Sequence, residues 1–354
     1  MSSSVENEDI QEKAAHIGMR LEDKWQSWRE RKARGRGDNV TVLPFTGYGT
    51  NGWVRVLGRV VMAKEGAFEN GKVASQILAD GIRGWRNFIS PPVANAKVVI
   101  GINGVEHEVT ADRGGVVDSH VPAELPEGWT TVTLSCEGST PVEAAVYIVP
   151  SDIKFGILSD IDDTVMVTAL PRPFLAAWNT FVLDEHARNA TPGMAVMLER
   201  VTREHPGSPV LYLSTGAWNV AQTLTRFLSR NLYPDGALLL TDWGPTRERW
   251  FRSGMEHKTS QLMRLAREFP DVKWLLIGDD GQHDEAIYAG FAQRYPEHVA
   301  AIAIRQLSVS EAVLAGGRSQ AKPANATPGI DWIYAPDGAG IAAQLHELGI
   351  INGS

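Results

Sequence analysis

From Pro150 onward, apolar runs alternate with stretches of helical periodicity, and that alternation narrows the expected fold to a doubly wound α/β sheet with parallel strands. The runs are Phe155 to Ser159, Val210 to Leu213, Ala237 to Leu240, Trp274 to Ile277 and Val299 to Ile304. Helical stretches lie between them: Gly193 to Glu204, Trp218 to Ser229, Lys258 to Glu268 and Asp284 to Arg294. The Gly/Ser/Ala/Pro-rich stretch Ala315 to Pro328 reads as a loop, and Ile341 to Leu348 as a closing helix.

Ahead of Pro150 the pattern is different. Short alternating apolar segments such as Trp53 to Met62 and Lys97 to Val109 are split by Gly, Pro and Asn, and the second carries Asn103-Gly104, a preferred pair for a tight hairpin turn. With Thr130 to Ser135 and Ala144 to Val149 they predict an antiparallel β-sandwich-like domain. Earlier still, Ile10, Ala14, Ile17, Leu21, Trp25 and Trp28 recur at spacings of three and four, so Glu6 to Arg34 reads as one helix expected to pack on a domain. The basic run RERKARGR keeps an interfacial membrane helix open as a second reading. The expected division is therefore an N-terminal amphipathic helix (1–37), a β-sandwich-like domain (38–152) and an α/β domain (153–354).

Composition excludes several classes. With 34 Lys and Arg against 42 Asp and Glu, the net charge of −8 repels a polyanion, so no nucleic-acid partner is expected. A single cysteine, Cys136, allows neither an intramolecular disulfide nor a cysteine-based zinc site, which fits a reducing compartment. The polar, acidic start MSSSVENEDIQEK and the lack of long apolar runs lead us to expect a cytoplasmic protein that does not span a membrane. Two motif matches are rejected on context. Gly47-Tyr48-Gly49-Thr50-Asn51-Gly52 fits GxGxxG but leads into a strand pattern rather than a helix, and His257-Lys258-Thr259-Ser260 lacks the glycines of a phosphate-binding loop.

The chemistry-bearing signal is Gly156-Ile157-Leu158-Ser159-Asp160-Ile161-Asp162-Asp163-Thr164, an apolar strand ending in alternating carboxylates. If the chain is still extended there, Asp160 and Asp162 share a face while Ile161 returns to the core. Ser214 ends the run Val210 to Leu213, Lys258 is expected to begin a helix, and Gly278-Asp279-Asp280 ends Trp274 to Ile277, with Asp284 five residues beyond Asp279. Each part alone is ordinary: a turn, a strand end, a surface lysine. The four together, in order and mostly at the ends of parallel strands, mark a site where open α/β sheets bind ligands. A phosphorylation-receiver domain uses similar residues, but its second acidic element precedes the lysine.

In this order, DIDDT, LYLS, HK and IGDDGQHD resemble the four motifs of the haloacid dehalogenase superfamily of phosphoryl-transfer enzymes. Within it, SDIDDTV, LSTGAW, HK and IGDDGQHDEAIY resemble the catalytic domain of the actin-patch phosphatidate phosphatase family, over about Lys154 to Arg305. The resemblance implies a haloacid dehalogenase-like fold and an Mg²⁺-dependent phosphatase. Asp160 would attack phosphorus to form an aspartyl-phosphate, and Asp162 would serve as general acid and then base. Asp160, Asp279 and the main-chain carbonyl of Asp162 would hold Mg²⁺, with Lys258 adding fixed positive charge. Ser214 and the N–H groups of Thr215 and Gly216 would hydrogen-bond the phosphoryl oxygens.

The implied substrate is a phospholipid, phosphatidate, converted to diacylglycerol and phosphate, with peripheral membrane contact. The chain reads Ser214-Thr215-Gly216-Ala217-Trp218 where family members often have Ser-Pro-Trp, and Gly-Asp-Asp where others have Gly-Asp-Ser. A phosphatase of a soluble phosphomonoester and a non-catalytic lipid- or protein-binding scaffold are the alternative readings. Further candidates are Asp280 and Asp284 for the metal shell, with helix capping as the other reading of Asp284, His283 behind it, and Arg247, Arg249 and Arg252 for an anionic head group. Leu170 to Phe174 with Trp178 and Phe181 form an apolar stripe that reads as a lid or as core.

Overall fold

The computed structural model describes residues 32–33, 35–64, 90–167, 189–241, 247–281, 283–314, 317 and 327–352, with backbone alone at 247–253. The N-terminal helix, the apolar stripe at 170–181 and most of the loop at 315–328 lie outside the described residues, as do the side chains of Arg247, Arg249 and Arg252. The chain forms two compact units. One comprises Met1–Pro44, Leu57–Ser119 and Val132–Glu143; the other comprises Phe45–Val56, His120–Thr131 and Ala144–Ser354.

Among the described residues seven strands precede Pro150: β1 (Asp38–Thr50), β2 (Gly52–Lys64), β3 (Lys97–Ile102), β4 (Val105–Thr110), β5 (Val116–Ala123), β6 (Gly128–Cys136) and β7 (Val142–Val149). They hydrogen-bond in the order β4-β3-β6-β7-β1-β2-β5. Asn103 and Gly104 have φ of 49° and 80°, and Ile102 faces Val105, so this pair makes the tight turn its residues favour. The sheet departs from the antiparallel expectation where β1 and β7 run parallel, with Gly47 opposite Val146.

The second unit contains a six-stranded sheet of β8 (Phe155–Asp160), β11 (Val210–Ala217), β12 (Ala237–Thr241), β13 (Lys273–Asp279), β14 (Val299–Arg305) and β15 (Asp331–Ala335). The remaining strands, β9 (Met166–Val167) and β10 (Asn189–Ala190), form a short antiparallel pair. The six-stranded order is β12-β11-β8-β13-β14-β15, and every neighbouring pair is parallel. Parallel sheets are covered on both faces, which is why Ile157, Leu158, Leu275, Leu276, Ile302 and Ile304 are wholly buried.

The helices are α1 (Met194–Glu204), α2 (Ala221–Arg230), α3 (Arg247–Glu268), α4 (Asp284–Arg294), α5 (Val309–Leu314) and α6 (Gly338–Glu347). Helix α1 buries Met194, Met197, Leu198 and Val201, one stripe at helical spacing. The expectation that Lys258 opens a helix is corrected: α3 starts at Arg247, so Lys258 lies inside it. The stretch Arg247 to His257 lacks an apolar stripe of helical period, yet its Arg and Glu residues propagate a helix well.

Strand order places the site. The chain leaves β8 toward β11 and β12 on one side and returns to β13, β14 and β15 on the other, so the winding reverses between β8 and β13. At such a switch point the connections diverge and leave a crevice at the carboxyl ends of the strands.

Candidate active site

Asp160 is the last residue of β8, and Leu213, its register partner on β11, is followed by Ser214. On the other flank Ser159 pairs with Ile277, two residues before Asp279. Three strand ends thereby bring together residues far apart in sequence. Ile161 is wholly buried, as the i, i+2 alternation requires, and the chain then turns through Asp163, whose φ is 60°.

Asp160 is 1% exposed. One of its oxygens accepts from Lys258 Nζ at 2.5 Å and the other from Thr164 Oγ1 at 3.3 Å. Lys258 also donates to Asp284 Oδ1 at 2.6 Å, so α3 and α4 both contribute to the cluster. Asp279 is 7% exposed and accepts from the Gly281 N–H at 2.6 Å. Oxygens of Asp160, Asp279 and Asp284 all lie within 4.8 Å of one another. Gly278 makes room for this: a Cβ there would come within 2.6 Å of Asp284 Oδ2 and 2.8 Å of the Tyr288 ring.

Burial is the largest influence on the Asp160 carboxyl and pushes it well above the usual carboxylate range; Lys258 opposes this, while Asp284, Asp162 and Asp279 add to it. Asp279 moves the same way, through burial first and then Asp284 and Asp163, against Lys258 and the Gly281 N–H. Burial disfavours the charge on Lys258, but Asp160 and Asp284 outweigh it and hold the ammonium well above its ordinary range. Three buried carboxylates thus share one bonded ammonium among the described residues, and Asp284 Oδ2 accepts no hydrogen bond there. An all-oxygen, net-anionic donor set of this kind fits a hard divalent cation such as Mg²⁺.

Asp162 sits on the other side of the turn. Its Oδ2 accepts from Ser214 Oγ at 2.7 Å, and Ser214 Oγ accepts in turn from the Gly216 N–H at 2.9 Å. The expected anion-binding N–H of Gly216 is therefore engaged by Ser214. Thr215 is half-buried beside it, and Thr241 at the end of β12 fixes the strand end by donating to the carbonyls of Thr215 and Gly216 at 3.0 and 3.2 Å. The Asp162 carboxylate is not part of the three-carboxylate group, and neither is Asp280, whose Oδ1 accepts from the Leu307 N–H at 2.8 Å. His283 occupies the N-cap position of α4 without a capping side-chain bond, and Asp284 turns to Lys258 rather than capping the helix.

Sequence reasoning missed Arg305. It closes the apolar strand β14 as a charged residue only 4% exposed, and a charge ending an otherwise apolar run at the carboxyl edge was the available signal. Its guanidinium donates to the Asp163 carbonyl at 2.7 Å, to Glu311 at 2.7 Å and to the Pro336 carbonyl at 3.3 Å.

Fold and site define a parallel α/β protein with a buried acidic cluster at the carboxyl edge of its sheet. Residues 155–306, less than half of the chain, match the family described as "Phosphatidate phosphatase APP1, catalytic domain". The chain is similar to Phosphatidate phosphatase APP1 of Saccharomyces cerevisiae, 24% identical over 253 residues, which is 66% of this chain and 41% of the yeast protein. It is also similar to an uncharacterized protein of Schizosaccharomyces pombe, 28% identical over 152 residues, 43% of this chain and 25% of that one. The chain thus spans less than half the length of either relative. Among solved structures, a carbohydrate acetylesterase from Xanthomonas citri aligns over 74% of this chain and 66% of its own, with 11% identity and a TM-score of 0.26, a likeness too low to carry an argument. No helix among the described residues is long and apolar enough to cross a membrane.

Proposed function

We propose that the protein is a phosphoric monoester hydrolase that converts phosphatidate to diacylglycerol and inorganic phosphate through an aspartyl-phosphate on Asp160. The observation that carries this reading is the convergence of Asp160, Lys258, Asp279 and Asp284 in one buried cluster, with Asp162 and Ser214 bonded to each other at the neighbouring strand end. The family match over residues 155–306 and the similarity to the yeast phosphatidate phosphatase support this reaction and substrate.

A carboxylate oxygen of Asp160 attacks phosphorus in line, and the bond from phosphorus to the glycerol oxygen breaks. Asp162 gives its proton to the departing alkoxide, then accepts one from the water that attacks the aspartyl-phosphate, releasing phosphate and restoring Asp160. Lys258 opposes the effect of burial on Asp160 and orients its carboxylate. Ser214 Oγ bonds Asp162 before substrate arrives, and an entering phosphoryl oxygen competes for that hydroxyl proton, freeing Asp162 for proton transfer. Asp160, Asp279 and Asp284 would hold Mg²⁺, which when bound neutralises charge on the phosphoryl oxygens and keeps Asp160 deprotonated. The enzyme meets its lipid peripherally at the cytoplasmic face of a bilayer.

The test is hydrolysis of phosphatidate in mixed micelles, compared with water-soluble phosphomonoesters, each with Mg²⁺ or chelator. Asp160→Asn is expected to lose turnover, and Asp162→Asn to slow it by about 10²–10⁴-fold. Wild-type rates in either folded variant refute the mechanism. Faster cleavage of soluble esters than of phosphatidate refutes the substrate.

A further inference from the structure

We infer that Arg305 is a positioning residue for the catalytic turn: its guanidinium holds the buried carbonyl of Asp163 and so fixes Asp162 relative to Asp160. This rests on the phosphatase reading of the site. Asp163 follows Asp162 directly and has φ of 60°, in the left-handed region that few L-residues other than Asn and Asp adopt. The turn has local bonds, from the Asp163 N–H to the Met166 carbonyl at 2.8 Å and from the Met166 N–H to the Ile161 carbonyl at 3.1 Å. Two side chains from outside the turn complete it. Tyr233 donates to the Val165 carbonyl at 2.6 Å, and Arg305 donates to the Asp163 carbonyl at 2.7 Å.

Arg305 is itself held from both sides. Its Nη2 bonds Glu311, which also accepts the Ser308 N–H at 2.7 Å, and its Nε donates to Pro336 on the loop after β15. A planar fork spreads five fixed donors over three nitrogens and so reaches three separated acceptors at once, whereas an ammonium presents its three donors from a single nitrogen. Without it the Asp163 carbonyl loses the guanidinium donor, and the turn can relax and carry Asp162 away from Ser214. Arg305 also lines a cavity of about 400 Å³ with Pro192, Ser308, Glu311 and Asp337, so a small cation can reach its position from solvent.

The experiment measures kcat and KM of the full chain on its phosphomonoester, together with hydrogen exchange of the amides at 160–167, for wild type, Arg305→Ala and Arg305→Lys. Arg305→Ala is expected to lower kcat roughly 10²-fold with little change in KM, the loss that a 1 Å displacement of a reacting group produces. Sub-denaturing guanidinium chloride is expected to restore about tenfold of that rate, while sodium chloride at equal concentration restores none. Exchange at 160–167 rises in the variant and falls back with guanidinium. Should Arg305→Ala fail to fold, Arg305→Lys decides, with lowered kcat and unchanged KM expected. A kcat within about threefold of wild type in a folded variant, or a loss in folded Arg305→Ala that guanidinium does not mend, overturns the inference. An inactive wild type refutes the phosphatase reading instead, and the exchange measurement then decides this one alone, unchanged exchange overturning it.

Discussion

Asp279→Asn is expected to stabilise the metal-free protein, because the buried acidic cluster carries more negative charge than its one lysine offsets. Oxygens of Asp160, Asp279 and Asp284 lie within 4.8 Å of one another, and two unit charges that far apart repel by about 332/(20 × 4.8), roughly 3.5 kcal/mol, at an effective dielectric constant of about 20. Lys258 bonds Asp160 and Asp284 but not Asp279. Burial, Asp284 and Asp163 raise the Asp279 carboxyl, so proton uptake already relieves part of the repulsion, and the net gain is about 1–3 kcal/mol. Asparagine keeps the shape and the Oδ1 that accepts the Gly281 N–H at 2.6 Å. At about 2–4 °C per kcal/mol, the variant should melt roughly 2–12 °C above wild type in chelator. Mg²⁺ at a hundred times its Kd should add about 2.7 kcal/mol to wild type and much less to the variant. Scanning calorimetry with chelator or Mg²⁺ reads both. A variant that melts below wild type in chelator, or gains as much from Mg²⁺, refutes the charge argument.

The same carboxyls set a pH dependence. Asp160 and Asp279 are raised by burial first, so between the ordinary Asp value of about 3.9 and their raised values the folded state binds more protons than the unfolded one, and stability falls as pH rises through that window. In chelator the protein should therefore melt higher at about pH 5 than at about pH 7.5, and saturating Mg²⁺ should abolish the difference; a melting temperature that climbs with pH in chelator contradicts this. A third expectation concerns Glu268, which accepts from Tyr48 at 2.9 Å and from Arg55 at 2.5 and 3.1 Å. Glu268→Ala leaves both partners in place with 1% exposure at Tyr48 and a side chain 12% exposed at Arg55, a loss of about 3–5 kcal/mol or roughly 6–20 °C in melting temperature. A fall of less than about 2 °C would show that the ion pair contributes little there.

The strands of the parallel sheet were readable because a strand buried on both faces must be an unbroken apolar run, and the candidate site was readable because three of the runs give way to polar residues that the structure gathers at one edge: Asp160, Ser214, Asp279. Edge strand β15 escaped notice for the converse reason. In Asp331–Ala335 the odd positions alternate with half-buried Trp332 and Tyr334, and five residues of mixed polarity give no run. Strand partners were also hidden. Periodicity marks β1 and β7 as strands but says nothing of their parallel pairing across about a hundred residues. The link from Lys258 to Asp284 could not be read from spacing, since it depends on how α3 and α4 pack against each other, and on Gly278 leaving space for the carboxylate.

The glycine-rich stretch at 47–52 shows how a motif can be rejected for the right reason and still have a definite task. Its glycines do not lead into a helix; they lie in β1 and at the start of β2, where a Cβ on Gly47 would meet the Arg55 carbonyl at 2.4 Å and one on Gly49 the Trp53 carbonyl at 2.3 Å. Only hydrogen fits such a close strand pairing. That closeness sets Tyr48 and Arg55 side by side, both bonded to Glu268 at the last residue of α3. Lys258 lies ten residues earlier on the same helix, about 15 Å away at 1.5 Å per residue, with its ammonium on Asp160. A helix is stiff over three turns, so the brace at Glu268 and the ion pair at Asp160 constrain the two ends of one rod. The glycines therefore permit the strand pairing that sets Tyr48 and Arg55 on Glu268, at the far end of the helix that carries Lys258.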